Sequence, residues 1–240
     1  MLSRENLEKF TKQQQTSTQN VVREYCQHLF LSYLYQNAGS EKLLFKGGTA
    51  LRIILKSPRF SEDLDFTGVG IAHKEIEELF TDTLANIEKT GMTVHIDAAT
   101  KTTGGYLGIA IFEAYDLKIN VQIEVSLRKG RESKKTRALI TNDYIPAYTL
   151  VHLDIDGIIR GKLDALLDRH KPRDYYDYFF LLSGNYPAAR TKENLKSVLK
   201  LLRQETMNFQ TELKKFLPAS QAMHLRDFKK GLEKKILGYL

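Results

Sequence analysis

The sequence predicts an α+β core followed by a helical half, with a break near residue 150 that divides it into domains 1–150 and 151–240. Three observations predict this. Apolar residues recur at helical spacing over 18–36 and again over 73–90. Three consecutive β-patterned runs lie between residues 93 and 125. Beyond about residue 153 the apolar patterns are helical.

In order, Val22, Tyr25, Cys26, Leu29, Phe30, Tyr33 and Leu34 make the first helical stripe. Leu43-Leu44-Phe45 reads as a short strand that ends at Lys46-Gly47-Gly48-Thr49 and passes into a helix over Ala50–Leu55. Thr49 is the expected N-cap of that helix, and Pro58 closes it. Leu64-Asp65-Phe66 is the next strand, stopped by Gly68 and Gly70, and Ile76, Phe80, Leu84 and Ile87 mark the helix after it. Thr93–Ile96, Tyr106–Phe112 and Leu117–Val125 form a meander turned at Gly104-Gly105 and Tyr115-Asp116. In its third run Ile119, Val121, Ile123 and Val125 face one way, and Asn120, Gln122 and Glu124 the other. The helical half breaks near Pro172, Gly184-Asn185 and Pro187.

Composition narrows the function class. With 240 residues, 42% of them hydrophobic and 27% charged, the chain can bury a core without metal or disulfide. The lone Cys26 excludes an intrachain disulfide, a CxxC zinc knuckle and a thiol redox pair. A charged start and the lack of any 18-residue apolar run lead to the expectation of a soluble, cytoplasmic protein with no membrane partner. A net charge of +7 points to an anionic partner without naming it.

Chemistry concentrates between residues 46 and 66. Asp63 and Asp65 are two apart on an expected strand, so both carboxylates share a face. Like charges held that close repel, and a bound dication relieves them. Oxygen donors of this kind suit Mg²⁺ together with substrate phosphates. Gly47-Gly48 lets the backbone approach a ligand closely, and the helix that follows aims free amides outward, where phosphates would sit. Such an arrangement serves two-metal phosphoryl or nucleotidyl transfer. Glu124, on the polar face of a later strand, is the expected third metal carboxylate and a possible general base. Glu113 and Asp116 are the other acids of the nearby strands. Ser61, beside the carboxylates, is either a phosphate contact or a turn hydroxyl.

Taken singly, these features are common. A DxD recurs in this same chain at Asp154-Ile155-Asp156, and a Gly-Gly pair is usually a turn. Their succession is more specific: strand, Gly-Gly-Thr opening a helix, Arg-Phe-Ser, DxD, then a polar Glu on a later strand. Gly157–Lys162 is one residue short of a P-loop, and there is neither a Gly-x-Ser-x-Gly elbow nor a His-Glu-x-x-His. The six His are scattered.

Lys46-Gly47-Gly48-Thr49-Ala50-Leu51 followed by Phe60-Ser61-Glu62-Asp63-Leu64-Asp65-Phe66 resembles the signature of the AbiEii/AbiGii-type nucleotidyltransferase toxins, of the DNA polymerase β-like superfamily. The resemblance continues at Lys162–Arg169 and at Lys171-Pro172-Arg173-Asp174-Tyr175-Tyr176-Asp177, and it spans roughly residues 43–185. It implies a mixed nucleotidyltransferase sheet flanked by helices and completed by the helical half. It also implies an NTP substrate, Mg²⁺ on Asp63 and Asp65, two ions being expected, and a triphosphate held by Gly48 and Thr49. Glu124 as the third ligand rests on the strand pattern, and Lys46, Gly47 and Ser61 are the neighbouring candidates for nucleotide binding. Lys162 would reach the nucleotide phosphates, and Asp174 would support the site. An RNA acceptor, the 3′ end of tRNA, and a cognate antitoxin follow from the same resemblance.

The residues by themselves leave blander readings open. Without the resemblance Lys162 reads rather as a solvated helix lysine, Asp174 as a helix-start carboxylate favoured by the dipole, and Asp177 as an i,i+4 partner of Arg173. A small-molecule or protein acceptor, a catalytically silent binding protein and a Mn²⁺ glycosyltransferase are the rivals. The last would carry several βα units before its DxD, and only about sixty residues precede this one. The positive charge is localised. Residues 128–137 hold six Lys/Arg against Glu132, a basic loop expected beside the site, and 191–240 hold eleven against five acids. If functional, such a loop would neutralise nucleic-acid phosphates; leucines at helical spacing make the tail's charges the solvent face of amphipathic helices.

Overall fold

The computed structural model describes residues 1–127, 133–221 and 225–240. They divide into two compact units, Met1–Lys56 with Phe60–Asp154, and Ser57–Arg59 with Ile155–Leu240.

The first unit opens with helices α1 (Arg4–Gln13) and α2 (Thr18–Leu34). Ser3 and Ser17 cap them by accepting the amides of Asn6 and Asn20. Then follow β1 (Leu43–Lys46), α3 (Gly47–Ile53), β2 (Leu64–Gly68), α4 (His73–Glu88) and β3 (Thr93–Thr102). The unit closes with β4 (Gly105–Ala114), β5 (Leu117–Ser126), β6 (Lys135–Ile140) and β7 (Tyr148–Leu153). All seven strands share one sheet, ordered β3-β4-β5-β2-β1-β7-β6. It is mixed: β2 runs parallel to β5 and β1 parallel to β7, while the other neighbours are antiparallel.

The expected meander is β3-β4-β5, turned at Tyr115 and Asp116, which both take positive φ as a tight hairpin requires. Its burial alternates as the sequence dictates, with Ile119, Val121, Ile123 and Val125 inside and Glu124 exposed. One sheet face packs on α2 and α4 through Phe45, Phe66, Phe30 and Phe80; ring centroids lie 5.5 Å apart in the first pair and 6.2 Å in the second. Each such buried side chain contributes about 1.5–3 kcal/mol of transfer free energy.

Two expectations need correction. The helix after the glycines starts at Gly47 with Lys46 at its N-cap, so Thr49 lies inside it and does not cap it. The basic segment is not all loop. Residues 128–132 lie outside the described residues, but Lys135–Ile140 is strand, held in full register by β7. Charges obscured it, because an edge strand solvates side chains that an inner strand would bury.

A polar network lies inside this unit. Glu24 of α2 accepts from Arg52 Nε of α3 at 2.6 Å and from the Tyr144 hydroxyl at 2.7 Å; Gln14 accepts from Arg52 at 2.7 Å. Burial pushes the Glu24 carboxyl up, but Arg52 and Tyr144 outweigh it and hold the group below its usual range. His28, buried and bonded through Nδ1 to the Tyr148 hydroxyl at 2.8 Å, is pushed down to about 4, chiefly by burial. Its unfolded state therefore binds the proton more readily between about pH 6.5 and 4, and stability must fall as pH drops through that window. We expect a loss approaching 1.4 kcal/mol per pH unit below pH 6 in denaturant unfolding, and a flatter profile in His28→Gln.

The second unit is helical: α5 (Ile155–Arg169), α6 (Pro172–Ser183), α7 (Lys192–Gln204), α8 (Phe209–Leu213) and α9 (Phe228–Leu237). Pro172 starts α6, where its missing amide is not needed, and Thr191 caps α7. Leu195, Val198, Leu199 and Leu202 form the buried stripe of α7, with lysines on the face away from it. Tyr175, Phe209, Phe228 and Tyr176 make an aromatic cluster with centroids 5.1–5.9 Å apart in successive pairs. No described helix is long and apolar enough to cross a membrane.

Candidate active site

Strand register assembles the site. Lys46 pairs with Asp65 across β1 and β2, Asp65 with Glu124 across β2 and β5, and Glu124 with Leu107 across β5 and β4. Residues paired side by side point to one face, so Lys46, Asp65 and Glu124 form a row on the face opposite Phe45 and Phe66. That row lines a cleft of about 430 Å³, bounded also by Thr102, Gly104 and Ser126.

Gly47 fixes the neighbouring backbone for two reasons. Its φ of +84° is left-handed, and a Cβ there would lie 1.9 Å from Asp65 Oδ2. The Asp65 carboxylate thus sits directly against the glycine turn.

Asp63 lies one residue before β2, not on it. The segment before the strand is held by other groups: Thr49 Oγ1 donates to the Asp63 carbonyl at 2.5 Å, and Gln27 Nε2 of α2 donates to the carbonyls of Ser61 (3.0 Å) and Glu62 (2.9 Å). Arg23 adds a 3.8 Å ion pair with Glu62. Gln27 was not singled out by the sequence reading. It is one of several polar residues buried on α2, with Asn20, Glu24 and His28, and no sequence pattern distinguishes it from them. Glu124 accepts from Gln122 Nε2 at 2.5 Å. Among the described residues, no three His, Cys, Asp or Glu side chains gather closely enough to cage an ion.

The second unit holds the other two residues of interest. Lys162 on α5 is mostly buried, and its Nζ lies 2.8 Å from Asp177 Oδ2. Asp177 also accepts from Arg59 Nε at 2.7 Å and Nη2 at 2.9 Å, and both Arg59 and Asp177 are almost wholly buried. Burial drives the Asp177 carboxyl up, but Arg59 and Lys162 outweigh it and hold the group below its usual range. Asp177 is thus the partner of Arg59 and Lys162; the pairing with Arg173 that helical spacing allowed is replaced by this cluster. Asp174, fully buried, takes Arg169 in a bidentate pair at 2.7 and 2.8 Å and the Lys171 amide at 3.3 Å. It therefore acts as an N-terminal carboxylate of α6.

Against known proteins, a sequence model described as the nucleotidyl transferase AbiEii toxin of a type IV toxin–antitoxin system matches residues 29–236. The chain belongs to the AbiEii family. Solved structures similar to this family member include a nucleotidyltransferase from H. pylori (20% identity, TM-score 0.66, covering 93% of this chain and 95% of that one). JHP933 from Helicobacter pylori is 21% identical with a TM-score of 0.66, covering 93% of each chain. MenT4, a nucleotidyltransferase toxin from Mycobacterium tuberculosis H37Rv, is 19% identical with a TM-score of 0.64, covering 100% of this chain and 90% of that one. These three likenesses concern the fold, a mixed α/β architecture like that of nucleotidyltransferase toxins. No curated protein matches the sequence. Membership of the AbiEii family implies an NTP substrate and a cognate antitoxin.

Proposed function

We propose that this AbiEii-family chain transfers a nucleoside monophosphate from an NTP to a hydroxyl of an RNA acceptor, at the 3′ end of a tRNA. The observation that carries the reading is the row of Lys46, Asp65 and Glu124 on one sheet face beside the Gly47 turn. Asp63, Asp65 and Glu124 offer only oxygen donors, and one or two carboxylates plus substrate phosphates is the usual mode for Mg²⁺, so the residues present fit that ion. When bound, Mg²⁺ would supply charge neutralisation at the transferring phosphoryl group.

The chain's own groups do the rest. Gly47 and Gly48 bring backbone close to the triphosphate, Lys46 supplies a cation in the carboxylate row, and Thr49 fixes the backbone of Asp63. Ser61 stands in the segment that Gln27 holds. From the second unit the resemblance adds Lys162, held in place by Asp177, as the phosphate lysine. Asp174 serves by ordering the start of α6.

The test incubates the protein with each of four α-labelled NTPs and either total RNA or a nuclease-treated lysate. Label entering RNA from at least one nucleotide is expected. Label confined to a protein or small molecule would replace the acceptor class, and no label under any condition would end the transfer reading. Gly47→Ala, which drives a methyl into the Asp65 carboxylate, should reduce the rate on the order of 10²-fold, the cost of displacing a reacting group by about 1 Å.

A further inference from the structure

The carboxylate face of the sheet continues to β6. Phe45 pairs with His152 across the parallel β1 and β7, so Lys46 lies level with Leu153, one residue on in both strands. Leu153 pairs with Lys135 and Val151 with Arg137 across β7 and β6. Lys135, Arg137 and Leu139 therefore stand on the same face as Asp65 and Glu124, and Lys135 is in their row.

We infer that Lys135 and Arg137 form the track on which the backbone of the polyanionic acceptor lies while its end reaches the carboxylates. This rests on the RNA-transfer reading above. At roughly 4.8 Å per strand, Lys135 is about 14 Å from Asp65 across β1 and β7, the length of about four stacked nucleotides. Both cations are exposed, and neither makes an ion pair with a described residue. Arg4, Lys42 and Lys118, elsewhere on this unit, are each paired within 2.7–2.8 Å. An unneutralised pair of cations beside a carboxylate centre complements a chain of phosphates. Leu139, 69% exposed on the same face, adds an apolar contact for a base or ribose.

Charges on an edge strand also prevent sheet-to-sheet association, which either sign achieves. The opposite edge, β3, carries mixed signs with His95, Asp97 and Lys101, whereas both charges on β6 are positive. Reversal separates the two roles, because Lys135→Glu/Arg137→Glu keeps the edge charged. We expect this double variant to raise the KM for RNA at least tenfold, to flatten the log–log salt dependence of RNA binding by about one to two, and to leave NTP affinity and kcat at saturating RNA unchanged. An active wild type with unchanged KM and salt slope in the variant would overturn the track alone. A wild type that labels no RNA would remove both the track and the transfer reading. Self-association of Lys135→Ala/Arg137→Ala, which discharges the edge, with RNA kinetics intact would assign these charges to edge protection and overturn the track.

Discussion

Asp65→Asn is expected to lower nucleotide transfer roughly 10³-fold, about 4 kcal/mol of lost transition-state stabilisation, while leaving thermal stability equal to or slightly above that of the wild type. The two effects have one cause. Register places Asp65 directly beside Glu124, and like charges side by side in a sheet are destabilising. Lys46 on the other flank offsets part of that repulsion. Removing the Asp65 charge relieves that repulsion and deletes the carboxylate to which we assign the metal. Asn keeps the volume against Gly47, so the turn is undisturbed. Asp63→Ala should lose transfer similarly. The checks are α-labelled NTP transfer and a melting curve on the same samples. Wild-type rates in both variants would remove the site assignment, and a large drop in Tm would show Asp65 to be structural.

Asp177→Ala should cost about 3–5 kcal/mol of stability, because it removes the buried carboxylate that Arg59 and Lys162 share. Desolvating three charged groups is already expensive, and only the bidentate geometry on Arg59 with the added bond from Lys162 offsets it. Asp177→Asn, which retains two acceptor lone pairs on its amide oxygen, should cost less. The replacement Arg59→Met/Asp177→Leu/Lys162→Met should recover most of the loss, since none of these three buried charges then remains. Denaturant unfolding of the three proteins decides it. A near-neutral Asp177→Ala would mean that water reaches the cluster and that it stabilises little.

Much of the fold was legible because burial imposes period on sequence. β5 alternates so cleanly that Ile119, Val121, Ile123 and Val125 could be assigned to the core and Glu124 to the open face in advance. The same logic failed at β6, where an edge position lets Lys135 and Arg137 replace the apolar residues that mark a strand. It failed again at Thr49, a residue type suited to capping, because Lys46 occupies the N-cap position and the Thr49 hydroxyl serves the Asp63 carbonyl. The partners of Asp177 were invisible for a different reason. Helical spacing relates residues three or four apart, but Arg59 is 118 positions away.

By itself the sequence determined the α+β class, the Gly-Gly turn and the polar face of β5, since these depend on local sterics and on the two-residue period of a strand. Only the tertiary structure decided that Lys46, Asp65 and Glu124 share one row, that Gln27 holds the segment before the carboxylates, and that two cations of β6 complete the same face. Strand order and register arise from pairing between distant segments, and no spacing along the chain encodes them.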